Sequence, residues 1–153
     1  MISVIRIRGR INVTSGISDT MEMMRLFRVN HMVIVRDDKP AKKMVEKVKD
    51  YVTFGEIDAE TFAAVLQKRG RLEGKKRLTE EFLKEKKIKD FNELAKNILE
   101  GKKTLKGLGI VPVFRLHPPR KGHARQGIKK PFTNGGALGN RASEINTLIK
   151  SMI

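Results

Sequence analysis

Residues 117–141, HPPRKGHARQGIKKPFTNGGALGNR, hold three prolines, five glycines, six lysines or arginines and no aspartate or glutamate. A stretch of this kind has too few apolar residues to build a core. It is a loop laid over something, or a segment that stays disordered until it meets a partner. Any fold must therefore be made by the residues on either side of it.

The same stretch lies at the centre of the chain's charge. The whole protein carries 33 Lys and Arg against 17 Asp and Glu, a net +16. Residues 1–57 hold 11 basic and 7 acidic groups, residues 58–100 hold 11 and 9, and residues 101–153 hold 11 and 1. One third of the chain thus supplies most of the excess. Counterion release makes lysine and arginine contacts to phosphates favourable whatever the base sequence, so a polyanion is the economical partner. A membrane fits less well: no run approaches the ~20 apolar residues of a spanning helix, and the N-terminal MISVIRIRGRINV alternates charge with aliphatics where a signal peptide is continuously apolar. The absence of cysteine excludes disulfides, thiolate zinc sites and cysteine nucleophiles, and agrees with a reducing, cytosolic setting.

Hydrophobic residues at 39% suffice for one ordinary core. SVIRIRGRI has period two, which predicts a strand with Val4, Arg6, Arg8 and Arg10 on a wet, cationic face and Ile5, Ile7 and Ile11 nearer the other. Asp19 and Glu22 form a capping-box-like start for a helix through about Arg28, with Met23, Met24 and Phe27 as its buried stripe. HMVIV is a short aliphatic strand. Pro40 opens a helix on which Met44, Val45 and Val48 face inward and lysines outward, and YVTFGEI is a third strand. From Asp58 the pattern turns helical, with helices over DAETFAAVLQKRG, TEEFLKEKK and DFNELAKNILEG. LGIVPVFRL predicts an edge strand near 110–116, residues 117–141 the basic arm, and residues 142–152 a C-terminal helix that tethers the arm's far end.

His117 and His123 invite an acid–base or metal reading. With no carboxylate anywhere in residues 101–143, a third ligand is missing and the positive field opposes a cation, so contact with phosphate or base is favoured. NGGALGN lacks the Lys-Ser or Lys-Thr ending of a phosphate loop and is weak as a nucleotide motif. Arg6, Arg8 and Arg10 would stand about 7 Å apart along a strand, close to the spacing of neighbouring phosphates. FRVNH, residues 27–31, adds cationic and hydrogen-bonding groups. There is no Ser-His-Asp arrangement and no carboxylate pair beside a histidine, so no enzyme mechanism has a full set of parts.

VIRIRGRINVTSGISDTMEMMRLFRVNHMVIV, MVEKVKDYVTFGEI and RLHPPRKGHARQGIKKPFTNGGALGNR, in this order, resemble the large-subunit ribosomal protein thirty family in its long archaeal-type form. The resemblance implies an α+β fold: a small three-stranded antiparallel sheet with two helices (β-α-β-α-β, a ferredoxin-like relative) over residues 1–57. A mainly helical extension over residues 58–153, carrying the basic arm, follows it. The chain opens almost at the first strand, without the long basic N-terminal arm of eukaryotic relatives. The resemblance also implies a non-enzymatic constituent of cytoplasmic ribosomes that binds large-subunit ribosomal RNA beside neighbouring ribosomal proteins, with no cofactor, metal, membrane or small-molecule substrate. The residues carried over for RNA contact are Arg8 and Arg10 on the first strand, then Arg28, Asn30, His31, Arg115, His117, Arg120, Lys121, His123, Lys129, Lys130 and Arg141. The competing expectations are a stand-alone RNA- or DNA-binding protein and an RNA-processing enzyme using His117 and His123.

Overall fold

Three five-residue strands rich in aliphatic and β-branched residues make the centre of the sheet: β1 (Ile2–Arg6), β2 (His31–Val35) and β3 (Val52–Glu56). The computed structural model describes residues 1–86 and 88–153. β1 runs antiparallel to both neighbours, with Val4 opposite Val33 and Phe54, and Ile5 opposite Met32 and Thr53. Helix α1 (Ser15–Met23) joins β1 to β2, and α2 (Lys39–Lys47) joins β2 to β3. Two further strands of two residues each extend this unit: β4 (Phe114–Arg115), antiparallel to β2, and β5 (Gly139–Asn140), parallel to β3. The sheet is therefore five-stranded and mixed, in the order β4-β2-β1-β3-β5. The expected three antiparallel strands are its middle, not its whole.

Helices α3 (Ala59–Arg69), α4 (Glu80–Glu85), α5 (Phe91–Leu99) and α6 (Ile145–Met152) follow. One sheet face packs Val4, Val33 and Val52 against Met21, Met24, Val45 and Val48 of the α1 and α2 region. The opposite face packs Ile5 and Met32 into a continuous cluster with Phe62 and Leu66 of α3, Leu94 of α5 and Ile149 of α6. The ring of Phe62 meets Phe114 edge-on, 6.0 Å between centroids at 87°, a geometry that adds about 1 kcal/mol to simple burial. With helices on both faces, residues 3–7 are all buried. This corrects the wet cationic face expected of the first strand: Arg6, on the Val4 side of the sheet that meets α1 and α2, is only 2% exposed and donates to the Leu26 carbonyl.

α1 begins at Ser15, after an extended Thr14, four residues before the predicted start at Asp19. It stops where Arg25 takes φ +61°. There the Leu26 N–H donates to the Met21 carbonyl (2.8 Å) and the Arg25 N–H to the Glu22 carbonyl (2.8 Å), the paired bonds of a Schellman stop with Leu26 packing back on Met21. The helix therefore ends before Phe27, and the buried stripe is Met21, Met24 and Leu26. Met23 and Phe27, predicted inside, are exposed.

α6 is fixed at both ends. At its start, Asn146 accepts from the Asp58 N–H (3.0 Å) and donates to the Glu56 carbonyl (3.1 Å). The turn before it presses on β3 so closely that a Cβ on Gly55 would run into the Ala142 carbonyl. At its end, the Met152 carbonyl accepts from the His117 N–H (2.9 Å).

Candidate nucleic-acid interface

The pairing register brings the cationic motifs to one end of the sheet. β1 stops there at Arg6 and β4 stops at Arg115, opposite His31, while β2, β3 and β5 begin there. Two regions meet at this end: a corner made of residues 6–10, 25–31 and 115, and the loop of residues 117–141.

In the corner, Arg6 donates to three backbone carbonyls, those of Leu26 (2.7 Å), Arg8 (2.9 Å) and Gly9 (2.9 Å). Burial, and then neighbouring Arg10, lower its guanidinium pKa, while Glu22 acts in the opposite sense. Arg8 and Arg10 lie past the end of β1, not on it as predicted. Arg8 sits 4.8 Å over the Tyr51 ring and donates to the Asp50 carbonyl (3.2 Å). Arg10 directs Nε (2.9 Å) and a terminal nitrogen to the Phe27 carbonyl. Asn30, at φ +64°, donates its N–H to the Arg6 carbonyl (2.8 Å) and accepts at its own carbonyl from Leu116 (3.0 Å), tying the corner to β4. Arg28 and Arg115 are exposed. His31 is buried; burial, then Arg115, Arg28, Arg6 and Arg10, hold its imidazole below the usual histidine range.

The loop of residues 117–141 lies folded against the protein's own core. Its first part is held to the end of α6 by the His117 bond and by the Arg120 N–H to the Ser151 carbonyl (3.1 Å). A tight turn follows, with the Gly122 N–H on the Pro119 carbonyl (3.1 Å) and Lys121 at φ +71°. Its last part doubles back through the Phe132 N–H to the Leu138 carbonyl (2.7 Å) and the Leu138 N–H to the Lys130 carbonyl (3.2 Å), burying Ala137 and Leu138. Gly136 allows this approach: a Cβ there would strike the Lys130 carbonyl. Packing thus accounts for this glycine of NGGALGN. His117, Arg120, Lys121, Lys129 and Lys130 are exposed, with Lys130 Nζ bonded to Gln126 Oε1 (2.7 Å). His123 is half-buried; burial, then Arg141, lower its pKa.

Arg141 requires a correction. Grouped by sequence with surface cations, it is turned inward, 7% exposed. Its Nε donates to Thr53 Oγ1 (3.1 Å), a terminal nitrogen to the His123 and Ala137 carbonyls (3.1 and 3.3 Å), and its plane lies 4.5 Å from the Phe132 ring. Thr53 in turn donates to the Gly139 carbonyl (3.1 Å). Arg141 thus fastens the loop to β3.

The ion pairs Lys42–Asp37 (2.8 Å) and Lys102–Glu100 (2.6 Å) include no residue of either region. Among the described residues, no group of three histidine, aspartate or glutamate side chains is placed to hold a metal. Two further exposed cations stand in these regions: Arg25, which by sequence looks like an ordinary helical residue, and Arg125, which lies within the basic stretch but outside the residues that the family resemblance carries over.

The geometry defines a basic α+β protein whose sheet end gathers cations from three separated parts of the chain. The family model described as ribosomal protein L30p/L7e matches residues 2–52. Over 151 residues the chain is 52% identical to the large ribosomal subunit protein uL30 of Methanococcus maripaludis, covering 99% of this chain and 98% of the relative. It is 50% identical to the uL30 proteins of Nanoarchaeum equitans, over 96% of this chain and 95% of that one, and of Methanothrix thermoacetophila, over 99% of each. The chain belongs to the ribosomal protein L30p/L7e family.

Proposed function

We propose that this protein is a structural, non-enzymatic constituent of the large ribosomal subunit, working in cytoplasmic ribosomes. In this reading it binds ribosomal RNA through the cationic end of its sheet. The observation that carries the reading is the near-full-length similarity to large-subunit proteins, which spans the corner and the loop of residues 117–141 alike. In this assignment Arg8, Arg10, Arg28 and Arg115 from the corner and His117, Arg120, Lys121, Lys129 and Lys130 from the loop face phosphates, with Arg25 and Arg125 beside them. Asn30, His31, His123 and Arg141 shape the surface from beneath. Contacts of this kind fix position and read RNA shape more than base sequence.

The test is sedimentation. The tagged protein expressed in an archaeal host should travel with the large subunit at low salt and leave it at high salt, as phosphate contacts require. A protein that stays at the top of the gradient at low salt would refute the assignment.

A further inference from the structure

Phe27 and Val29 are 41% and 40% exposed, and Ile11 is 89% exposed. Phe27 and Val29 belong to the corner and Ile11 follows its residues 6–10; Met23 and Ile128 are exposed as well. Looseness does not explain Phe27 and Val29. The segment that carries Phe27 and Val29 leaves α1 at Arg25 (φ +61°) and enters β2 after Asn30 (φ +64°). Between these turns the Leu26 carbonyl is held by Arg6 and the Phe27 carbonyl by Arg10. Two guanidiniums therefore fix the backbone on which the Phe27 ring is displayed.

From these observations we infer that Phe27 is a stacking platform for an unpaired nucleobase of the RNA, with Arg25 and Arg28 taking the phosphates beside it. The inference rests on the RNA-binding reading of this end and adds a base-contacting residue to it. The chemistry fits a nucleotide better than an apolar protein surface. A base offers a flat apolar face next to charge, which an aromatic ring flanked by guanidiniums satisfies. Glu22 on α1 is an acid whose charge reaches Arg6 of this corner, and Arg6, Arg10, Arg25 and Arg28 outnumber it.

The chain has no tryptophan, so Phe27→Trp places a single reporter at the site. The probe is deproteinised large-subunit ribosomal RNA. Phe27→Leu, which keeps apolar volume and removes the ring, should weaken binding about 5- to 150-fold, the range carried by base–aromatic stacking, with the salt slope unchanged. Phe27→Trp should bind as the parent does, and its indole emission should be quenched by the RNA. Equal affinity of Phe27→Leu and parent, or an unquenched indole signal in the complex, overturns the inference while leaving the RNA-binding reading in place; the patch then serves a protein neighbour. A parent protein without salt-dependent RNA binding sinks both. Thermal unfolding of each variant confirms that the compared proteins are folded.

Discussion

The corner and the loop present similar cations at the same end of the sheet, yet each is held in its own way. In the corner, the buried Arg6 reaches carbonyls near it in sequence or one loop away, and two of its three acceptors, on Arg8 and Gly9, are only partly buried. In the loop, the buried Arg141 reaches across 88 positions to Thr53 and takes two further carbonyls. Each region turns one arginine inward, against carbonyls and a hydroxyl without a carboxylate partner, so that the others can face out on a fixed backbone. A carboxylate would have neutralised the surface; a carbonyl does not. The corner is a continuation of the strands, whereas the loop keeps its shape through long-range bonds that a single substitution can cut.

The largest expected effect separates the two regions by affinity. Replacing Arg120, Lys121, Lys129 and Lys130 by alanine should lower the salt slope of RNA binding by about 3 to 4 units and weaken binding roughly a thousandfold at 0.1 M salt. Replacing Arg10, Arg28 and Arg115 should lower it by about 2 to 3. Filter binding across a salt series checks both. An unchanged slope in the first set would remove the loop from the RNA surface and leave the corner alone.

The next effect separates them by stability. Arg141→Met strands Thr53 and two carbonyls, so unfolding in urea should show a loss of about 3 kcal/mol. Limited proteolysis should cut between residues 120 and 130 before the sheet unfolds. For Arg6→Met, where only the Leu26 acceptor is deeply buried, the expected loss is about 2 kcal/mol with the loop still protected. Cleavage in the loop of the Arg6 variant would mean that the two regions are one cooperative unit.

A further difference is set by pH. His31 in the corner and His123 in the loop both have depressed pKa values, through burial first and nearby arginines second. The unfolded chain therefore takes up protons at higher pH than the folded one. Stability is full above the ordinary histidine value near 6.5 and falls as pH drops below it. Urea midpoints from pH 7.5 to 5 should shift downward, and His31→Gln and His123→Gln should each flatten that trend. A flat profile in the parent would show that neither imidazole is held neutral.

What was legible in the chain follows the same division. The β-α-β-α-β order could be read because Pro40 falls in the first turn of α2, and because Met44, Val45 and Val48 have helical spacing between two aliphatic runs. β5 could not: Gly139 and Asn140 have no strand preference of their own and pair only because Thr53 and Arg141 hold them to β3. The inward turn of Arg6 was equally hidden. Period two says that alternate residues share a face, but whether that face is wet depends on what packs over it, for Arg6 the α1 and α2 side and the turn at Leu26. For the candidate site, clustering of charge in sequence led to the cationic end of the sheet, yet it could not separate Arg141, a fastener, from Arg120 or Lys129, which face out.

The smallest expected effect bears on a feature the two regions share. Arg25 in the corner and Lys121 in the loop are exposed cations in left-handed backbone, where glycine is at ease. A side chain there costs about 1–2 kcal/mol, partly offset by the greater freedom glycine gives the unfolded chain. Arg25→Gly and Lys121→Gly should therefore each stabilise the free protein by about 0.5 to 1 kcal/mol. If these cations are kept for phosphate, each change should also lower the RNA salt slope by about 0.7 to 0.9. Opposite signs in the two measurements identify a residue retained for binding against the preference of the fold. Should Lys121→Gly show both effects and Arg25→Gly only the gain in stability, phosphate contact would reach the loop and stop short of the turn after α1.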